Sequence, residues 1–170
     1  ILCLCIFINI PFTAFCYSAR SMVLVESGSM SVLDSVDCHR IMPMASTTKI
    51  MTALVLLETL PLDTVVTIPA QACGVEGSSV YLKAGEKLTV RELLYALMLA
   101  SGNDAAAALA LAAAGSEDAF VALMNKKAAA LGLKNTHFTN PSGLPDDNHY
   151  TTAFELALLT CHALENPDFS

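Results

Sequence analysis

The sequence predicts a mixed α and β (α/β) domain, a helical cluster packed on an antiparallel sheet. Three observations predict it. Short β-like runs gather near the N-terminal end, apolar helical patterns fill the middle, and two of those helices open with the spacing of a capping box. The chain has 170 residues, 54% of them hydrophobic and 15% charged. That is enough for one domain with a sizeable core and argues against disorder.

Taken in order, Ser21–Glu26 and Met30–Asp34 are β-like runs flanking Ser27-Gly28-Ser29, which reads as a hairpin. An irregular segment leads to Ala45, and an apolar helical pattern then runs to Leu60, where Pro61 stops it. Thr64–Ile68 is strand-like, followed by a glycine-punctuated loop with a short Val80-Tyr81-Leu82 run. Thr89 and Glu92 have capping-box spacing, and the helix they open, Leu93 to Ala100, is apolar nearly all round, which predicts burial. An alanine-rich helix spans Ala105–Ala114 and stops at Gly115. Ser116 caps the next, Glu117–Leu131, and Gly132 ends it. Asn140–Asn148 is a turn-rich loop, after which Thr152 and Glu155 repeat the capping-box spacing before a last helix that ends ahead of Pro167.

The net charge is −7, and no Lys/Arg cluster offsets it, which excludes a nucleic-acid partner. Residues 1–12 carry no charge, and the first is Arg20. Residues 1–18 read as a secretory signal whose basic start and initiator methionine are missing, with cleavage after Cys16 or Ser18. A membrane span is the lesser reading, since Asn9 and Pro11 interrupt a stretch shorter than the roughly 20 residues a span needs. The protein is therefore expected to be exported and extracytoplasmic. Cys3, Cys5 and Cys16 belong to the leader; Cys38, Cys73 and Cys161 match no zinc or disulfide spacing and read as free thiols. His39, His137, His149 and His162 are scattered, and Asp146, Asp147 and His149 read as a solvated loop, not a metal site. Met42, Met44, Met51, Met98 and Met124 fit core packing.

The chemistry concentrates in Ala45-Ser46-Thr47-Thr48-Lys49. Three residues apart on a helix, Lys49 lies about 300° around and ~4.5 Å along from Ser46. Its amine can therefore reach the Ser46 hydroxyl. A serine alcohol is a weak nucleophile until a base removes its proton, and a neutral lysine amine is such a base. The helix N-terminus adds free N–H groups where an oxyanion would form. Alone, the pair reads more simply as a helix start with a solvated lysine. Against that, Lys49 sits in an apolar run, between Thr48 and Ile50-Met51. A second polar break, Ser101-Gly102-Asn103, ends the otherwise apolar helix, where a buried turn needs partners.

With these motifs in view, the chain resembles the D-alanyl-D-alanine carboxypeptidases, the low-molecular-mass penicillin-binding proteins, whose superfamily carries Ser-x-x-Lys, Ser-x-Asn and Lys-Thr-Gly. Pro43–Ala53 looks like their active-site segment and Leu99–Ala105 like their second motif. Ala130–Phe138 and Asn148–Ala153 extend the likeness, which covers roughly residue 20 onward.

The resemblance implies a β-lactamase/transpeptidase-like fold, incomplete here, with residues 19–170 as the N-terminal part of the catalytic domain. It implies Ser46 as the acylated nucleophile, Lys49 as its general base, Ser101 as proton relay and Asn103 as a substrate-binding residue. No metal or cofactor is implied. The implied partners are peptidoglycan pentapeptide and, as acylating inhibitors, β-lactam antibiotics. A peripheral membrane association through a C-terminal segment outside this sequence is implied as well.

The chain departs from the pattern in two places. No Lys-Thr-Gly follows Ser101, so the segment alone is expected to be inactive, and Ser142 stands where many relatives have histidine. A class A-like β-lactamase is disfavoured because Glu165-Asn166-Pro167 lacks the Glu-x-x-Leu-Asn arrangement and Gly102 stands in place of aspartate. A serine glutaminase, which reuses the Ser-x-x-Lys pair, and a non-catalytic cell-wall-binding remnant are the remaining alternatives.

Overall fold

A computed structural model describes residues 18–170, so nearly all of the expected signal segment lies outside the described residues. Two antiparallel ribbons and five α-helices make up the regular structure among those residues, with β1 Met22–Val25, β2 Val32–Val36, β3 Val65–Thr67 and β4 Lys87–Thr89. The helices are α1 Thr48–Thr59, α2 Val90–Leu99, α3 Asn103–Ala114, α4 Glu117–Ala130 and α5 Ala153–Leu164.

The β1–β2 hairpin forms where the sequence places it. The Glu26 carboxylate accepts the Gly28 and Ser29 N–H groups, closing the turn. β2 begins at Val32, later than Met30, because Met30 turns at φ 55°. β4 is missed by the sequence reading: Lys87-Leu88-Thr89 pairs with Thr67-Val66-Val65 and runs straight into the α2 cap. So the strands form two separate ribbons, not one sheet at the N-terminal end. Val80-Tyr81-Leu82 is loop.

α1 is the central element. Met51, Ala53, Leu54, Val55 and Leu56 are all buried, and α2, α3, α4 and α5 each pack against it. Burying each leucine side chain contributes about 1.5–3 kcal/mol, so α1 carries a large share of the core. α3 lies beside it, with Ala105 to Ala110 essentially inaccessible. Its alanines let the two backbones approach closely.

α2 corrects the expectation of all-round burial. Val90, Leu93 and Leu97 are inaccessible, but Tyr95, Met98 and Leu99 are exposed, Leu99 at 83%. Only one stripe of this helix meets α1 and α3, so apolar composition overstated how much of it packs. Met98 accordingly leaves the core set, and Met42 is half-buried, while Met44, Met51 and Met124 are buried.

The two capping boxes diverge. At α2 the Thr89 hydroxyl accepts the Glu92 N–H, and the Glu92 carboxylate accepts the Thr89 N–H. At α5 the Thr152 hydroxyl caps Glu155 N–H, but the Glu155 carboxylate turns to Asn135 and Thr136. Two isolated bridges hold the chain entering α5: Met42 with Thr151 ties it to the segment before Ser46, and His137 with Tyr150 ties it to the segment after α4.

Candidate active site

Ser46 lies in a single 3-10 turn, Ala45–Thr47, that feeds directly into α1. Its side of the turn is exposed, while Lys49 beneath it is only 3% exposed. Ala45 holds φ 46°, a left-handed value uncommon for a residue with a Cβ. Such strain persists only where the surroundings over-determine it.

The Lys49 amine has three oxygen partners: Asn103 Oδ1 at 2.8 Å, the Ser142 carbonyl at 2.7 Å and Ser46 Oγ at 3.3 Å. Among the described residues its hydrogen-bond partners are all neutral, and no carboxylate pairs with it. Burial without a counter-charge holds the Lys49 pKa below the usual lysine range.

Asn103 opens α3. Its Oδ1 takes the lysine and its Nδ2 donates to the Glu76 carbonyl at 2.7 Å, so both ends of the amide are engaged within the protein. Gly77 is the residue that lets the amide in. At φ +89° a Cβ there would stand 2.6 Å from Asn103 Nδ2.

Ser101 sits between α2 and α3 at φ 56°, and its hydroxyl is buried with no hydrogen-bond partner among the described residues. A buried unsatisfied hydroxyl costs stability and marks a place where something else is to be met. Lys49 thus joins Ser46 and Asn103 directly. Ser101 stands two residues from that network without a hydrogen bond into it.

The loop after α4 is the part of the site that sequence reasoning missed. Asn140 Oδ1 accepts N–H groups from Ser142, Gly143 and Leu144, drawing the loop into a tight nest. This delivers the Ser142 carbonyl to Lys49 and the Pro141 carbonyl to the Thr52 hydroxyl at 2.7 Å. Gly143, at φ +90°, passes so close that a Cβ would fall 1.9 Å from the Ala45 carbonyl oxygen. The atom that meets Lys49 is the Ser142 backbone carbonyl, so this contact does not depend on the side chain at position 142.

His149 also departs from the solvated reading: it is 3% exposed, with its ring against Phe138 and hydrogen-bonded to Thr48 and Thr139. No group of three or more His, Cys, Asp or Glu side chains among the described residues is arranged to hold a metal ion. Cys38, Cys73 and Cys161 are free thiols.

The family model described as D-alanyl-D-alanine carboxypeptidase matches residues 12–169. The chain belongs to that family. DacF of Bacillus subtilis, named a D-alanyl-D-alanine carboxypeptidase, is 40% identical over 154 residues, which is 88% of this chain and 40% of the relative. The crystal structure of the D-alanyl-D-alanine carboxypeptidase DacD from Francisella tularensis superposes with a TM-score of 0.85 at 37% identity, covering 88% of this chain and 38% of that one. Penicillin binding protein 6B from Escherichia coli matches at TM-score 0.84 and 33% identity, over 95% of this chain and 55% of its own. The chain thus spans about 40% of the length of the Bacillus relative and a little over half of the Escherichia one. The fold is that of the carboxypeptidase family, as the two motifs suggested. The one further signal in sequence for the 140s loop was its density of Asn, Pro and Gly, which marks a turn but not its destination.

Proposed function

We propose that the whole protein is a serine-type D-alanyl-D-alanine carboxypeptidase, removing the terminal D-alanine from peptidoglycan stem peptides through an acyl-serine intermediate. One observation carries this reading: a buried lysine amine, with no carboxylate to neutralise it, spans Ser46 Oγ and Asn103 Oδ1. The two shorter bonds, to Asn103 and Ser142, keep two N–H groups of Lys49 occupied. In the neutral amine the third position is a lone pair, and it faces Ser46 Oγ.

The Ser46 proton passes to Lys49 as Oγ attacks the carbonyl carbon of the D-alanyl-D-alanine bond. The Ser46 N–H is one donor to the resulting oxyanion. Collapse breaks the C–N bond, and the leaving amine takes the proton from Lys49 through the Ser101 hydroxyl, whose unmet hydrogen-bonding capacity suits a relay. Water then hydrolyses the ester, and Ser46 and Lys49 return to their starting states. The same ester forms with a β-lactam ring, which makes such antibiotics acylating inhibitors. Substrate on the cell wall calls for an exported, extracytoplasmic enzyme, and the apolar leader of residues 1–18 supports export. Peripheral membrane association through a C-terminal segment outside this sequence belongs to the same proposal and rests on the family likeness alone.

Labelling with fluorescent penicillin and release of D-alanine from a pentapeptide test the assignment in the full-length protein. Ser46→Ala is expected to abolish both. Turnover that survives in that variant refutes it, and rapid breakdown of the penicillin adduct would assign the protein to the β-lactamases instead.

A further inference from the structure

We propose that His149 is a positioning residue that sets the geometry of Ser46 through Thr48 and the Ala45 carbonyl; this rests on the acyl-serine reading above. The Thr139 N–H donates to His149 Nδ1 at 3.0 Å, so that nitrogen carries no proton. In the neutral ring the proton is therefore on Nε2, which lies 2.6 Å from the Thr48 hydroxyl and donates to it. Thr48 Oγ1 in turn donates to the Ala45 carbonyl at 2.8 Å. The relay has one direction throughout, from the Thr139 amide through the imidazole and hydroxyl to Ala45.

Its end point is the peptide that links Ala45 to Ser46. Ala45 is at φ 46°, and the carbonyl receiving the Thr48 hydroxyl is the one Gly143 closes against. The same peptide carries the Ser46 N–H, the oxyanion donor of the proposed reaction. Turning that peptide would misdirect the donor and move Oγ off Lys49, already at 3.3 Å. None of His149, Thr48 or Thr139 touches Lys49 by hydrogen bond, so the effect on the nucleophile passes through backbone position.

Protonation breaks the relay for a geometric reason. A second ring proton turns Nδ1 from acceptor to donor, so the Thr139 N–H at 3.0 Å loses its partner and only the Thr139 hydroxyl, at 3.2 Å, is left to accept from the ring. The groups acting on the imidazole are Asp146 in its own loop, which favours the charged form, and His137 across the bridge with Tyr150, which opposes it. From α1 it meets the uncharged Thr48 and from the preceding segment Phe138 and Thr139. Burial outweighs Asp146 and keeps the ring neutral below the ordinary histidine pKa of 6.5.

The test uses the full-length protein labelled with 15N-histidine and 15N-serine. On lowering pH, the Ser46 amide resonance is expected to titrate together with the His149 ring, and in Thr48→Val to stop following it. Acylation by fluorescent penicillin is expected to slow about tenfold in Thr48→Val and in His149→Phe. The double variant should be no slower than the slower single, and Thr48→Ser should acylate within about threefold of wild type. Multiplied effects in the double variant, or wild-type acylation in a folded Thr48→Val, overturn the proposal. If His149→Phe does not fold, Thr48→Val and the wild-type titration still decide. If the wild-type protein takes up no penicillin, the acyl-serine reading fails, while a Ser46 amide indifferent to His149 overturns this one.

Discussion

Two loops dock on the first turns of two buried helices, and they do so with opposite chemistry. The loop holding Glu76 to Leu82 is fastened to α3 by an anion. Asp104, wholly buried, accepts from the Ser79 hydroxyl and from the N–H groups of Val80, Leu82 and Ala105. The loop from Thr139 to His149, shaped from within by the Asn140 amide, is fastened to α1 by neutral groups: backbone carbonyls and the His149 imidazole. Burial alone would push the Asp104 carboxyl up, but its four donors and the α3 N-terminus hold it below its ordinary 3.8. The comparison teaches that a buried charge is tolerated where a helix start and several N–H groups converge. Around Lys49, by contrast, the surroundings supply only neutral partners, and the proposed reaction requires that amine to give up its proton.

The largest expected effect comes from breaking the neutral loop. Gly143→Ala puts a Cβ against the Ala45 carbonyl at a left-handed φ, and is expected to cost at least about 3 kcal/mol in chemical denaturation. Penicillin labelling should fall with it; a variant as stable as wild type would show that the close approach is not real. Breaking the anionic loop comes next. Asp104→Asn presents an NH2 group to N–H donors and is expected to destabilise by about 2–3 kcal/mol.

Acid sharpens the contrast. The unfolded chain binds a proton at His149 near pH 6.5 while the folded ring does not, so stability falls as pH drops from there to the folded pKa. Asp104, with a depressed folded pKa, contributes fully above its ordinary 3.8 and loses that contribution as pH falls from there through the lower folded pKa. Denaturation followed from pH 8 to pH 3 should show the His149 loss first, and His149→Phe should remove that first step alone. The smallest effect belongs to the exposed cap: Glu92→Ala is expected to cost about 0.5–1 kcal/mol. Glu155→Ala, at the same sequence spacing, should cost more, since it strips a buried carboxylate from Asn135 and Thr136.

That last pair shows how far local pattern reaches. Thr89/Glu92 and Thr152/Glu155 have one spacing, and the hydroxyl half of each box forms as the spacing predicts. The glutamate half depends on what lies nearby. At α2 it is solvent, so Glu92 folds back; at α5 it is the Asn135-Thr136 turn, so Glu155 reaches outward. Likewise the turn content of Asn140–Asn148 was legible, but not that the Ser142 carbonyl would reach Lys49 across 93 residues. The sequence around His149 reads as solvated because nothing beside Asp146 and Asp147 announces a buried imidazole.

Sequence alone determined the helix that carries Lys49 and the approach of its amine to Ser46 just ahead of it, because one turn of chain fixes their spacing, and it determined the polar break at Ser101 to Asn103. Tertiary structure decided which partners the lysine meets, which face of α2 is covered, and that a histidine 101 residues away in the chain bonds Thr48. The physical reason is range. Helical periodicity and capping act over three or four residues, whereas desolvation and hydrogen-bond satisfaction are settled by whatever chain the fold brings alongside.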